Sequence, residues 1–221
     1  VSFQGLWAIS YFKVNQIDSL HIINIILIAM SVGYLIGSCS GSFLSDKLFK
    51  CRTTPIRLAL LLLLLSWSAI TIIPYNLNTI CFTFLMGLIG ISTGIISPIL
   101  YSIITDIIPA QNQGLALGIV NPSATFGTFI FQLITGFILE SFKTGNIYDS
   151  NSFLIMMEFC LITLIISLFI SFYLKETMQL QYEINNIKRF SLSNIKHKLQ
   201  HLAPINKRHI NSLLYKRYML K

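Results

Sequence analysis

The sequence predicts an all-α polytopic membrane protein: a bundle of six helices, the first cut short, followed by a basic cytoplasmic tail. Three observations carry this. Hydrophobic residues make up 54% of the 221 and charged residues 11%, where a soluble domain carries about 25% charged; the mean hydropathy is +0.70. Several apolar runs reach the roughly 20 residues that a spanning helix needs. The charges gather in short breaks between those runs, above all in Gly41 to Arg52, which reads GSFLSDKLFKCR.

In chain order, residues 1–12 (VSFQGLWAISYF) are apolar and aromatic but too short to span, and read as the second half of a helix. With Val1 in place of Met, the chain is expected to begin inside a longer protein. Complete spans are expected at 21–44, 55–73, 79–108, 114–139 and 152–174, making 1–177 a membrane bundle and 178–221 a polar tail. Pro74-Tyr75-Asn76-Leu77-Asn78 is a tight turn, and Pro109 to Gln113 is a polar break.

The hinge after residue 44 sets the topology. A short polar loop between two apolar spans must be aqueous, and its cations put it on the cytoplasmic side. Alternation then places 109–113 and the tail inside, and 13–20, 74–78 and 141–151 outside. Fourteen Lys/Arg fall inside and two, Lys13 and Lys143, outside. The charge of +8 belongs wholly to the tail, because residues 1–174 hold six Lys/Arg and six Asp/Glu. Basic residues interleaved with Ile195, Leu199 and Leu202 suit a segment lying on anionic lipid; a solvated tail fits as well, and nucleic acid is the less fitting partner.

Gly33, Gly37 and Gly41 form a small-residue stripe on the first full span, Gly90 and Gly94 repeat it on the third, and Gly114 and Gly118 begin the fourth. Small residues at this interval let backbones approach in lipid, where packing rather than hydrophobicity drives association. The leucine-rich 55–73 and phenylalanine-rich 152–174 lack such stripes and are expected at the lipid-facing periphery. Polar stripes run along three helices: Gln4, Trp7 and Tyr11; Thr93, Ser97 and Tyr101; Asn121, Thr125, Thr128 and Gln132. Polar groups in lipid need partners or water, so these stripes either line a shared wet cavity or hydrogen-bond the bundle together. Pro98 and Pro122 interrupt the same two helices and permit kinks.

Among the acids, Asp106 and Glu140 sit at helix ends and are expected to face headgroups or water. Glu158 lies within an apolar run, as a candidate for proton coupling or as a side chain snorkelling to the interface. No catalytic constellation is present, so the chain is not expected to be an enzyme. His197 and His201 lack a third ligand, and the four cysteines show no ligand spacing; neither a metal nor a cofactor is expected.

Residues 42–52 resemble the loop signature of the major facilitator superfamily, roughly GxLxDRxGRR, through Leu44, Asp46, Lys47 and Lys50. Ser42 stands for the first glycine, Phe49 for the second, and Arg52 trails by one position. FQGLWAISYF resembles the seventh helix of bacterial permeases of this superfamily, residues 108–136 resemble its tenth-to-eleventh loop and eleventh helix, and Lys175-Glu176-Thr177 resembles the ending after the twelfth. The resemblance implies the carboxy-terminal six-helix half of a secondary transporter or symporter in a bacterial inner membrane, needing an amino-terminal half as partner beside the lipid bilayer and a small polar solute. Gln4, Trp7, Tyr11, Tyr101, Asn121 and Gln132 would line the pathway, and Asp46, Lys47, Lys50 and Arg52 would form a gating loop. A non-transporting scaffold or a non-functional transporter fragment is the alternative.

Overall fold

The computed structural model describes residues 8–14, 20–72, 79–143 and 148–178. The chain divides into two units, Val1–Met178 and Gln179–Lys221. The second, with the basic tail, lies outside the described residues, as do Gln4 and Trp7.

Apolar runs bounded by Pro, Gly and charged breaks become α-helices: α1 (Ala8–Val14), α2 (Leu20–Phe43), α3 (Thr53–Ile72), α4 (Thr79–Ile107), α5 (Gln113–Ser141) and α6 (Ser150–Ser171). A π-helical turn, Leu44–Phe49, prolongs α2. Five of these helices are long and apolar enough to cross a membrane. Helix ends leave orphaned backbone groups, and local side chains answer them. Asp149 accepts the Ser150 amide at the start of α6, and the Gln113 side-chain amide donates to the Thr105 and Ile108 carbonyls at the end of α4.

The glycine stripes of α2 and α4 meet. A β-carbon on Gly37 would lie 2.2 Å from the Ile91 carbonyl oxygen, and one on Gly90 would lie 2.1 Å from that of Met30. Side chains cannot fit there, so the two backbones run in direct contact, as expected where dispersion and small residues do the work of association. The third glycine pair behaves otherwise. Gly114 and Gly118 of α5 have nothing within 4 Å, and only Thr135 and Leu139 of that helix are buried. Spacing alone creates the potential for close approach; the face of α5 that carries these two glycines meets no other helix within the described residues.

The periphery also differs from expectation. One face of α3 is buried through Ile56, Ala59, Leu63, Ser66 and Ile70, packed toward α4 and α6, while Leu58, Leu61 and Leu65 stay exposed. A run of six leucines hides this sidedness, because every helical face of it reads the same. Only α6 keeps to the expectation: its buried residues lie near its two ends, at Ser152, Phe153, Met156, Met157 and Ser171.

Two cores result. The larger joins Tyr11 and Phe12 to Phe82, Phe153, Met156 and Met157, with Ile23 and Ile26 of α2. The smaller, at the other end of α4, comprises Ile56, Ile99 and Ile103, with Leu174 packed on it. Tyr11, expected on a pathway face, instead has its ring inside the larger core, 5.6 Å from the Phe153 ring and 6.1 Å from Phe82.

Candidate functional site

Two polar sites stand out: a charged hinge where α2, α3 and α4 end together, and a groove along α5.

The hinge starts with the widened π-helical turn, which spends an extra residue before the chain reverses. The reversal falls on Lys50, whose φ of 49° is left-handed, a conformation that favours glycine. Lys50, one residue after Phe49, is thus the position of this loop where a glycine would be favoured. The same one-residue offset brings Arg52, which trails in a linear comparison, into place against the acids. Its Nε donates to Asp106 Oδ2 at 3.0 Å, and its Nη1 donates to Ser45 Oγ at 3.0 Å and to Asp46 Oδ1. Burial of Arg52 and Asp106 side chains is nearly complete, at 11% and 8% exposed, whereas Asp46 is 49% exposed. Burial works against the Arg52 cation, but hydrogen bonds to Asp106 and Asp46 and their charges outweigh it and hold the guanidinium above its ordinary value.

A strap after α6 closes the hinge. Both Glu176 carboxylate oxygens accept the Arg52 amide at 2.9 Å, and Oε2 also accepts the Thr53 amide at 3.1 Å and its hydroxyl at 3.0 Å. The carboxylate therefore caps the amino terminus of α3, where the helix dipole favours negative charge. Burial raises the energy of the charged form, yet amides of Arg52, Thr53 and Met178 hold Glu176 below the usual carboxylate range. The Thr177 hydroxyl donates to Asp106 Oδ2 at 3.3 Å. Nearby, Arg57 donates to the Ser171 carbonyl at 3.4 Å and lies 5.0 Å over the Phe172 ring.

Of the four residues expected in the gating loop, the structure brings Asp46 and Arg52 together. Lys47 and Lys50 are exposed, Lys47 lying 5.3 Å over the Phe43 ring. Asp106 does not face headgroups or water; it is the buried partner of Arg52. An acid in the last turn of a helix opposes the macrodipole, and that conflict was the available signal that a dedicated cation awaits it. Glu176 was visible only through its position after the last span.

At the groove, α4 and α5 are joined by a hydrogen bond from the Tyr101 hydroxyl to Asn121 Oδ1, 2.7 Å long and exposed. Beside it Asn121, Pro122, Thr125, Phe126 and Phe129 line an open groove of about 640 Å³. The Thr125 and Thr128 hydroxyls bond back to carbonyls of their own helix, as does Thr93. Gln132 is half-buried, about three turns further along α5, so the stripe's two ends are not one site. Glu158 is exposed on α6.

The Major Facilitator Superfamily model matches residues 2–215. No curated protein matches the chain. Among solved structures, the proton:xylose symporter XylE bound to 6-bromo-6-deoxy-D-glucose is similar at a TM-score of 0.66 and 15% identity, covering 90% of this chain and 48% of that one. The xylose transporter XylE from E. coli is similar in its inward open conformation (TM-score 0.61, 16% identity, 90% and 50% covered) and in its partially occluded inward open conformation (0.63, 16%, 90% and 53%). The chain spans about half the length of these structures, and identity this low speaks to the fold alone.

Proposed function

The chain belongs to the major facilitator superfamily, an integral, multi-pass membrane fold, and from that premise we propose that it is the carboxy-terminal six-helix half of a secondary transporter for a small, uncharged polar solute. Solute binds along the groove, at Tyr101 and Asn121, between this half and an amino-terminal half; the two halves rock about the midplane site. The observation that carries this is the exposed Tyr101–Asn121 hydrogen bond, set in helices otherwise apolar enough to span lipid. A hydrogen-bonded pair of polar side chains facing outward from such helices needs water or a polar partner there.

The uncharged class follows from the walls. The acidic residues of α4 and α5 are Asp106 and Glu140, both in last turns, neither helix holds Lys or Arg, and α2 carries no charged residue. A charged solute would find no counter-charge on them. The hinge of Asp46, Arg52, Asp106 and Glu176 is the gate, a set of charge contacts that hold one end closed and break on opening. The positive-inside excess supports a cytoplasmic hinge and carboxy terminus.

The test is uptake into proteoliposomes of the chain joined to its amino-terminal half, with a labelled panel of neutral solutes, D-xylose among them, against anionic and cationic ones. Saturable uptake of a neutral solute is expected, reduced about five-fold or more by Asn121→Ala, since one lost hydrogen bond in a desolvated site is worth about 1–3 kcal/mol. Uptake restricted to charged solutes, or untouched by Asn121→Ala and Tyr101→Phe, refutes the proposal.

A further inference from the structure

The solute pathway has a third wall that the polar stripes do not reveal. Tyr34 lies on α2, on the flank of the glycine stripe rather than on it, and its phenol crosses the α2–α4 seam. There its hydroxyl donates to Ser97 Oγ at 3.4 Å, and the pair is exposed. The seam makes this reach possible: the Tyr34 carbonyl would lie 2.3 Å from a β-carbon on Gly94, so the α2 backbone sits directly on α4. One turn beyond Ser97 on α4 comes Tyr101, which donates to Asn121 on α5.

Contacts across the seam set the levels. The Tyr34 amide and carbonyl lie against Gly90 and Gly94, so its backbone sits about one and a half turns before Ser97 on α4 and the phenol spans that difference. Four polar side chains on three helices thus form one connected run, from Tyr34 to Ser97, one turn on to Tyr101, and across to Asn121. Tyr34 is 38% and Tyr101 40% exposed. A phenol held far from both helix ends, where interfacial anchoring is out of reach, is ill-placed in hydrocarbon.

We propose that Tyr34 and Ser97 line the solute pathway, extending it from α5 across α4 onto α2. The inference rests on the proposed transport reading and deepens it. It assigns Tyr34 to water rather than to lipid, and makes its bond to Ser97 part of a wet surface instead of a staple between helices.

Thiol accessibility tests this without knowledge of the solute. Cys39, Cys51, Cys81 and Cys160 are replaced, and single cysteines are introduced as Tyr34→Cys, Ser97→Cys, Tyr101→Cys, Asn121→Cys and, on the exposed face of α3, Leu65→Cys. The full chain, joined to its amino-terminal half in proteoliposomes, is labelled from both faces with the water-soluble cation MTSET. The reagent needs a thiolate, which forms in water and not in hydrocarbon, so the four pathway positions are expected to react at least about ten-fold faster than Leu65→Cys. Reaction at Tyr101→Cys and Asn121→Cys, with both Tyr34→Cys and Ser97→Cys as slow as Leu65→Cys, overturns the inference and leaves the transport reading standing. All five reacting slowly, or Leu65→Cys reacting as fast as the others, overturns both. The Ser97→Cys variant keeps Tyr34 intact, so the outcome does not hang on whether α2 tolerates loss of the phenol.

Discussion

Replacing Arg52 by alanine removes the one cation that Asp46 and Asp106 share. Asp106 is 8% exposed and keeps, besides the lost guanidinium, the Thr177 hydroxyl. Removing one partner of a buried ion pair costs about 3–5 kcal/mol, because the remaining charge is left buried. Asp46 is half exposed and water can reach it, so the lower bound of about 3 kcal/mol applies. That is about a hundred-fold in the folding equilibrium, and for a chain of this size a fall in melting temperature of about 6–12 °C. Tryptophan fluorescence of the purified chain in detergent reads it, since Trp67 lies on α3, the helix that Arg52 precedes. Adding Asp106→Asn should restore at least about 1 kcal/mol, a coupling within the range for residues in contact. Arg52→Lys should fall between, keeping the charge but losing the fork that reaches two acids and Ser45. A melting temperature for Arg52→Ala within about 1 °C of the parent, or no recovery in the double variant, refutes the claim that this pair closes the hinge.

Three further outcomes are expected. Glu176 titrates below its ordinary value in the folded chain, so its contribution is full above the unfolded pKa of about 4.3 and is lost as pH falls through the lower folded value; melting curves of the parent should lose stability across that acid window, and Glu176→Gln should flatten the loss. Gly37→Ala forces a β-carbon to 2.2 Å from the Ile91 carbonyl oxygen and should part α2 from α4, costing about 1–3 kcal/mol as overpacking does, whereas Gly118→Ala meets nothing and should gain up to about 1 kcal/mol from helix propensity; comparing the two melts checks both. Lys50→Gly relieves a left-handed backbone that costs an ordinary residue about 1–2 kcal/mol, so it should raise the melting temperature, and a fall would contradict the turn geometry.

The parts of this fold that were legible share one property: a residue type that lipid treats in only one way. Apolar length declares a span, and glycines four apart on α2 and α4 declare close approach. What spacing cannot state is which helix answers which, so the identical pattern at Gly114 and Gly118 found no neighbour. Asp106 departs from the expected exposure because a helix end need not be wet, and its position against the dipole calls for a cation. Arg52 is displaced only in a linear pattern, which has no means to count the residue absorbed by Leu44–Phe49. Tyr34 is not visible in polar stripes along single helices, because its partner, Ser97, stands on another. For Asp106 and Tyr34 the missing information is a contact between distant parts of the chain.

The seam between α2 and α4 bears on how the chain is made. Gly33 and Gly87 meet backbone to backbone, yet the whole of α3 is synthesised between them. At about 5–20 residues per second, the 54 residues separating the pair leave α2 without its counterpart for roughly 3–11 seconds. During that interval its flattest, least shielded face is open to lipid or to any other nascent helix. Insertion therefore proceeds with α2 waiting, and a substitution that delays α4 would harm yield before it harmed the finished protein.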